Sequence, residues 1–337
     1  MRAHHDLPPL VRVSRKQPCP VCGKPDWCSL SRDGEIAICM RVASGHETQN
    51  GGHLHQLAAA PRPRRAAPSP MPISSPATMP TRASVDHINA IYRVMLREHL
   101  RLSDAHREKL VARGLSPAEI TARGYASTPD REQAARIASA LTPLDLRGVP
   151  GFYRPRDHWE MVNAAAGYFV PYRDESGRVA AMQYRLDQPI NNGKTKYLWF
   201  SSPPGQYPNG ATSGAPLHCA RPDLLAAARE VTLTEGAIKA DVAAFFMAAP
   251  VIAAAGVTLF GHNFGDRLKQ IAPQLRTVHV AFDLDWKTKD TVKRALFRLL
   301  EELERARFVA RLRAWPAHLG KGIDDYLLTV ARGGQAA

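Results

Sequence analysis

The C-terminal third of the chain alternates short apolar runs with segments of helical periodicity. The apolar runs are VTLT from Val231, VIAAA from Val251, VHVAF from Val278 and FVARLRAW from Phe308. Between them, the spacing predicts helices from about Ala237, near Phe264 and from about Asp290. Strands that alternate with helices of this length indicate a parallel sheet with right-handed crossovers. The predicted fold class of this region is α/β.

The region over residues 85–145 shows a helical pattern instead. Apolar residues from Ile88 to Leu100 recur near helical spacing, and a second helix is expected from the cap Ser103 to Gly114. Ser116-Pro117-Ala118-Glu119 then combines an N-cap, a helix-starting proline and a capping-box glutamate. We therefore expect a small helical region here.

A hairpin and one further strand follow. Residues 167–186 alternate around the Asp174-Glu175-Ser176-Gly177 turn, which predicts a β-hairpin. Residues 196–201, KYLWFS, predict a third short strand.

A segment rich in Pro, Ala and Ser divides the chain. Residues 58–84 lack an apolar period, and such a composition cannot bury enough surface to offset its ordering entropy. We predict four parts: an N-terminal module over 1–57, a linker over 58–84, a helical and hairpin part over 85–228, and the α/β domain over 229–337.

The composition and charge narrow the class of protein. The 337 residues carry a formal net charge of +14, which attracts polyanions such as nucleic acids. The alternative is a solvated basic surface. No apolar stretch approaches the roughly 20 residues that span a bilayer, and the N-terminus lacks a secretory apolar run. We expect a cytoplasmic protein without a membrane partner.

The N-terminal module holds a cluster of cysteines. Cys19-Pro20-Val21-Cys22-Gly23 is a turn that directs two thiolates towards one ion, and Zn²⁺ prefers four such ligands. Cys39 and Cys28 are the nearest further ligands; the alternative is that Cys28 is a small buried side chain and His55 or another histidine completes the site. In a reducing compartment such a cluster indicates metal rather than disulfides.

Acidic residues follow two of the predicted parallel strands. Glu235 ends VTLTE, and Asp283 and Asp285 end VHVAFDLD. Sites in open parallel sheets form beyond the carboxyl ends of the strands. A period of two would direct Asp283 and Asp285 to one side, where carboxylates hold Mg²⁺ or Mn²⁺ during phosphoryl transfer. The alternative is that these acids are helix N-caps.

These segments together resemble the Toprim-domain DNA primases of phages and mobile elements. The resemblance rests on CPVCG with the strands WCSLS and EIAIC, on VTLTEG, VIAAAG and VHVAFDLD, and on GYFVPYRD, QYRLD and KYLWFS. The chain departs from the family where a second cysteine usually follows the position of Cys39. The resemblance implies a zinc ribbon, a Toprim-like catalytic domain over about residues 229–328, and Glu235 as a metal ligand or general acid/base.

The resemblance also implies further site residues. The late acidic motif Gly320-Lys321-Gly322-Ile323-Asp324-Asp325 offers Asp324 or Asp325, and we take Asp325 as a further magnesium ligand; either acid would equally cap the final helix. Arg185, Lys194, Lys196 and Lys239 are the candidates for binding nucleic acid or nucleotide.

The implied function is synthesis of short primers on single-stranded DNA from nucleoside triphosphates. No P-loop is present, which indicates a separate replicative helicase as partner. A Toprim nuclease would use the same carboxylates to cut DNA. A non-catalytic single-strand-binding adaptor would use the zinc module and the basic surface alone.

Overall fold

The structure is a computed structural model that describes residues 10–32, 34–44, 48, 52–57, 82–193, 195–261 and 263–333. The chain divides into two compact units, Met1–Pro76 and Ala77–Ala337, and each is treated by itself. The predicted linker lies almost wholly outside the described residues.

The first unit is built on a small antiparallel sheet. Its four strands pair in chain order: β1 (Leu10–Arg12), β2 (Ser29–Ser31), β3 (Ile36–Cys39) and β4 (His53–Gln56). Its buried cluster is made of Val13 with Cys19, Cys28 and Cys39. Because this apolar core is so small, the folding stability of the first unit must depend largely on a metal bound by the cysteines.

The second unit begins with helices at the predicted positions. These are α1 (Val85–Val94), which continues as a π-helix over Met95–His99, then α2 (Asp104–Ala112), α3 (Pro117–Arg123) and α4 (Arg131–Leu141). The Ser103 and Ser116 side chains accept N-cap hydrogen bonds as predicted, from the backbone N–H groups of His106 and Glu119. The helical prediction is confirmed.

An antiparallel sheet packs against these helices. Its strands are β5 (Ala126–Ser127), β8 (Gly167–Arg173), β9 (Val179–Ile190) and β10 (Thr195–Trp199), in the order β10-β9-β8-β5. The predicted hairpin and third strand are thereby confirmed. A separate two-stranded ribbon joins β6 (Phe152–Tyr153) and β7 (Glu160–Met161).

The α/β part forms a five-stranded sheet in the order β11-β13-β12-β14-β15. Its elements are β11 (His218–Ala220), β12 (Glu230–Glu235), α5 (Ala237–Met247), β13 (Val251–Ala254), α6 (Phe264–Ile271), β14 (Thr277–Val280), α7 (Asp290–Arg305), β15 (Val309–Leu312) and α8 (Ile323–Gly333). All pairs are parallel except β11 with β13. The predicted parallel sheet is confirmed, and the antiparallel edge strand β11 adds to it from before residue 229.

One predicted detail of this sheet is wrong. β14 ends at Val280, so Asp283 and Asp285 do not lie in an extended strand with a period of two. Asp283 instead precedes a short 3₁₀ turn over Leu284–Lys287. The two carboxylates come together through this turn.

A buried polar network ties α3, β11 and α5 together. Asp241 on α5 is 2% exposed and accepts hydrogen bonds from Arg123, from the Tyr125 hydroxyl at 2.5 Å and from His218 Nε2 at 2.9 Å. The Arg173 backbone N–H donates to His218 Nδ1 at 3.1 Å, so the proton of this imidazole lies on Nε2. The network holds α5, which begins two residues after Glu235 at the end of β12.

Asp241→Ala is expected to lower the free energy of unfolding of the second unit by about 3 kcal/mol, because it removes the buried acceptor shared by Arg123, Tyr125 and His218 and leaves Arg123 only its pair with Glu119. Chemical denaturation measures this. Asp266→Ala is the matched control, since its pair with Lys269 is exposed and contributes at most about 1 kcal/mol. Equal losses in both variants would contradict a special role for the network.

Candidate metal centre and candidate active site

The four clustered cysteines of the first unit converge on one point. The sulfur atoms of Cys19, Cys22, Cys28 and Cys39 all lie within 4.8 Å of one another. The Cys22–Cys28 pair is 3.7 Å apart and the Cys28–Cys39 pair 3.9 Å. Tetrahedral zinc with Zn–S bonds of about 2.3 Å separates its sulfurs by about 3.8 Å. The cluster therefore has the donor set and the dimensions of a four-cysteine zinc site.

The surroundings of the sulfurs favour thiolates. Backbone N–H groups point at two of them, from Met40 to Cys28 at 3.4 Å and from Val42 to Cys39 at 3.3 Å. The Arg41 guanidinium lies 3.8 Å from the Cys28 sulfur, and it also pairs with Asp26 at 2.7 Å. The Arg41 side chain therefore packs against the cysteine cluster and is held there by Asp26.

The metal-free thiols differ in acidity. Burial, aided by the neighbouring thiols, raises the pKa of Cys28 to about 12. Burial alone would also raise the pKa of Cys22, but the Lys24 backbone N–H and the other thiols outweigh it and lower this pKa to about 7. A metal ion that binds all four sulfurs must therefore displace protons, most of all from Cys28.

His55, the alternative fourth zinc ligand, is engaged in a hydrogen bond to the backbone. His55 Nε2 donates to the Val42 carbonyl oxygen at 3.0 Å, with Nε2 protonated. Trp27 does not cover the cluster: its side chain is 67% exposed and its φ of 67° lies in the left-handed region. A bulky residue held exposed in that conformation is a candidate for stacking on a ligand.

In the second unit, carboxylates from three segments meet beyond the carboxyl ends of β12 and β14. Glu235 ends β12, and Asp283 and Asp285 flank the start of the 3₁₀ turn after β14. Asp324, in the first turn of α8, is 4% exposed and lies against the same group. We call these four residues the carboxylate cluster.

Cations accompany every member of the carboxylate cluster. Lys239 contacts Asp283 and lies 3.7 Å from Glu235, while Lys321 lies 3.4 Å from Asp283 and 3.3 Å from Asp285. Two further pairs complete the set: Lys289 with Asp285 at 2.6 Å, and Arg113 with Asp324 at 2.5 Å. Carboxylates and cations are thus interleaved in one group of charged side chains.

Burial and neighbouring charges shift the pKa values of residues in and around the carboxylate cluster. Burial, with the negative charges of Asp283 and Asp285, raises the pKa of Glu235. For Asp285 burial is outweighed by Lys289 and Lys321, which lower its pKa. Burial likewise opposes the positive charge of Lys239, yet Glu235 and Asp283 raise its pKa. Lys239 is therefore a cation at neutral pH.

Two carboxylate oxygens retain capacity for a metal ion. Oδ1 of Asp285 and Oδ1 of Asp324 are buried and have no hydrogen-bond partner within the described part of the chain. Gly322 keeps the space beside Asp324 and Asp283 open, since a Cβ there would lie 2.6 Å from Asp324 Oδ1 and 3.0 Å from Asp283 Oδ1. Buried unpaired carboxylate oxygens are costly and suit a divalent cation. These two oxygens are of the ligand type that Mg²⁺ prefers. Among the described residues, the four cysteines of the first unit are the group of three or more potential ligands that lie within 4.8 Å of one another, and the carboxylates are spaced more widely.

The late acidic motif contributes a different aspartate from the one we expected. Asp325 is exposed, and its Oδ2 accepts from the Gly322 backbone N–H at 3.2 Å at the start of α8. Asp324 is the member that faces the other carboxylates. In the structure the neighbouring positions have therefore divided the cap and the cluster roles between them.

Of the four residues predicted to bind nucleic acid or nucleotide, one lies beside the carboxylate cluster and two lie on the antiparallel sheet. Lys239 lies inside the carboxylate cluster. Arg185 on β9 pairs in register with Tyr168 and Tyr197, and its guanidinium carbon lies 5.9 Å from the Tyr168 ring centre. Lys196 is exposed on β10. Lys194 lies outside the described residues.

Sequence reasoning missed Arg113 and Lys289. Lys289 follows Asp285 by four residues, a spacing that brings two side chains together on a helical turn and that identifies it in retrospect. Arg113 is the C-cap residue of α2 and pairs with Asp324, 211 positions later in the chain. That contact has no local sequence pattern.

One protein family matches the sequence of the region that holds the carboxylate cluster. A family described as a domain of unknown function (DUF3854) matches residues 226–335, which contain the whole carboxylate cluster. None of the curated proteins compared with the chain matches its sequence.

Solved structures of primases are similar in fold. The zinc-binding and RNA polymerase domains of the Aquifex aeolicus primase match at 17% identity and a TM-score of 0.53, over 75% of this chain and 60% of that chain. The RNA polymerase domain of Mycobacterium tuberculosis primase DnaG matches at 14% identity and a TM-score of 0.55, over 75% of this chain and 82% of that chain. The same domain in complex with a double-stranded DNA oligomer that has a 6-nucleotide overhang matches at 16% identity and a TM-score of 0.54, over 76% of this chain and 79% of that chain.

These similarities define the class of fold. The protein has an α/β architecture like that of primase RNA polymerase domains, with a four-cysteine cluster near its N-terminus. It spans about 60% of the length of the Aquifex aeolicus chain. No described helix is long and apolar enough to cross a membrane.

Proposed function

We propose that the protein is a primase-like nucleotidyltransferase that synthesises short primers on single-stranded DNA in a reaction that depends on Mg²⁺. The observation that carries the proposal is the carboxylate cluster with its two unpartnered buried oxygens, in a fold like that of primase RNA polymerase domains. The zinc-like thiol cluster in the first unit adds to this support.

Each residue has a part in the proposed reaction. Asp283, Asp285 and Asp324 would hold Mg²⁺, which when bound neutralises charge on the attacking and leaving oxygens. Lys321 and Lys289 lie at the exposed side of the cluster, with side chains 60% and 59% exposed, where they would bind triphosphate oxygens. Glu235, whose pKa is raised by burial, would accept or hold a proton near the reacting hydroxyl.

The first unit would bind template. In this proposal the four cysteines hold one Zn²⁺, and the exposed ring of Trp27 stacks on an unpaired base. Arg185 and Lys196, on the strands of the antiparallel sheet, would contact the DNA backbone. A separate helicase would supply single-stranded DNA.

Lys239 sets the cation affinity of the cluster, because its ammonium group occupies the space between Glu235 and Asp283. Lys239→Gln is expected to tighten Mg²⁺ binding by about tenfold or more, since two unit charges about 4 Å apart interact by about 1 kcal/mol in water and about 4 kcal/mol at the effective dielectric constant near a protein surface. Calorimetric titration with Mg²⁺ alone measures the effect. Lys293→Gln, at an exposed position of α7, is the matched control. Unchanged binding in Lys239→Gln would contradict this role.

The proposal is tested by one reaction with two labels. The zinc-loaded full chain is incubated with end-labelled single-stranded DNA, Mg²⁺ and differently labelled nucleoside triphosphates. A primase transfers the nucleotide label into short products and leaves the DNA intact. A nuclease shortens the DNA and needs no nucleotides, whereas an adaptor binds DNA and does neither.

A further inference from the structure

Six arginines line a single cleft in the second unit. The cleft has a volume of about 820 Å³ and lies among the end of α1, its π-helical continuation, α2, α3 and the β8–β9 turn. Its arginines are Arg93, Arg97, Arg101, Arg107, Arg173 and Arg178. None of its lining residues belongs to the carboxylate cluster. We call it the arginine cleft.

Three of these arginines form a row. Arg93, Arg97 and Arg101 follow one another at intervals of four residues along α1, the π-helix and the residue pair that follows. Arg93 and Arg97 share one helix face, where like charges repel one another, and Arg101 follows the extended residue Leu100 just beyond the end of the helix. A π-helical turn is rare and is frequently found at functional sites. The local structure thus aligns charges that are unfavourable without a counter-ion.

The charges of the cleft are largely uncompensated. No aspartate or glutamate is among its lining residues in the described part of the chain. Arg178 pairs with Asp174 and Asp86 at one end, and Arg101 donates only to backbone carbonyls. The guanidinium groups of Arg93, Arg97 and Arg107 make no ion pair or hydrogen bond to any described residue. In the carboxylate cluster, by contrast, each cation has an acidic partner.

The floor of the cleft shows the consequence of this crowding. Arg173 donates to the carbonyl oxygens of Gly177 and Arg123, both at 3.1 Å, and is held in place by them. Burial, with the positive charges of Arg123 and Arg93, lowers the pKa of Arg173 despite the opposing negative charge of Asp241. An anion in the cleft would relieve this repulsion.

We propose that the arginine cleft is a second anion site, separate from the carboxylate cluster, that binds a ligand with two or more adjacent phosphate groups. Planar guanidinium groups on three sides provide paired donors for phosphate oxygens. The chemistry is shared by a nucleic-acid backbone and by a free polyphosphate compound. The apolar part of the lining, such as Leu96 and Ile120, leaves room for a base or sugar beside the phosphates.

The test compares two double variants with the same loss of charge. Arg93→Gln/Arg97→Gln changes two exposed arginines of the cleft. Arg229→Gln/Arg276→Gln changes two exposed arginines that directly precede β12 and β14, at the end of the parallel sheet opposite to the carboxylate cluster. The probes are an oligothymidine of about 16 nucleotides and inorganic tripolyphosphate. Dissociation constants are measured over a range of salt concentrations without Mg²⁺ or nucleotides, so the result does not depend on catalysis.

The cleft variant is expected to bind more weakly by about tenfold, and its salt slope for the oligonucleotide to fall by about 1.4, or about 0.7 for each lost phosphate contact. Weakening for the oligonucleotide alone identifies a nucleic-acid backbone, and weakening for tripolyphosphate identifies a free polyphosphate ligand. Tripolyphosphate would then also raise the melting temperature of the parent more than that of the variant. Equal binding by both double variants, or no binding of either probe by the parent, would overturn the proposal.

Discussion

Asp283→Asn is expected to abolish primer synthesis while it leaves the fold and DNA binding in place. Asp283 is buried between Lys239 and Lys321, and it is the carboxylate that connects Glu235 to Asp285 through these two lysines. Loss of one positioned charge that stabilises a transition state commonly costs about 10²–10³ in rate, and loss of a metal ligand adds to this. Initial rates of nucleotide incorporation measure the effect.

The neighbouring pair on α8 supplies the matched comparison. Asp324→Asn removes a buried member of the carboxylate cluster, whereas Asp325→Asn changes an exposed residue one position later. We expect Asp324→Asn to lower the rate by about 10²-fold or more and Asp325→Asn to keep most of the parental activity. DNA binding by all three variants should equal or slightly exceed that of the parent, because each loses a charge that repels phosphate. Parental rates in Asp283→Asn would rule out this site.

Cys28→Ser is expected to remove zinc from the protein and unfold the first unit. The Cys28 sulfur lies within 3.9 Å of those of Cys22 and Cys39, and the module has only a small apolar core. Structural zinc contributes about 10–16 kcal/mol to the folding of comparable peptides. Metal analysis of the purified protein should give one zinc per parent chain and none in the variant, with rapid proteolysis of the first unit.

Two controls separate this from a general effect of losing a cysteine or a metal-binding side chain. Cys219→Ser changes a buried thiol on β11 in the second unit, and His55→Ala removes the histidine that donates to Val42. Both should retain full zinc. Zinc retained in Cys28→Ser and lost in His55→Ala would transfer the fourth ligand position to the histidine.

The elements of the second unit were predictable because their patterns are local. The caps Ser103 and Ser116, the hairpin turn at Asp174–Gly177 and the buried runs of β12 and β14 each record their structure within a few residues. The strand β11 has no such pattern, since it is three residues long and is defined by its pairing with β13.

The candidate site was predictable in its acids and less so in its cations. Glu235, Asp283 and Asp285 end apolar runs, which marks them as residues at the edge of a parallel sheet. The balance of charge depends on contacts between distant segments, above all Arg113 with Asp324. The arginine cleft likewise joins residues of α1, α2 and the hairpin, and its lack of acidic lining residues is visible only once these segments are packed together.

The formation of the first phosphodiester bond between two nucleoside triphosphates tests the central claim most directly. The zinc-loaded full chain, single-stranded templates of mixed sequence, Mg²⁺ and labelled nucleotides are incubated together, and the dinucleotide is resolved by gel. We predict a dinucleotide that needs template, disappears when Mg²⁺ is chelated, and is absent with Asp283→Asn. No dinucleotide from a parent protein that carries zinc and binds DNA, or cleavage of the template without nucleotides, would contradict the claim.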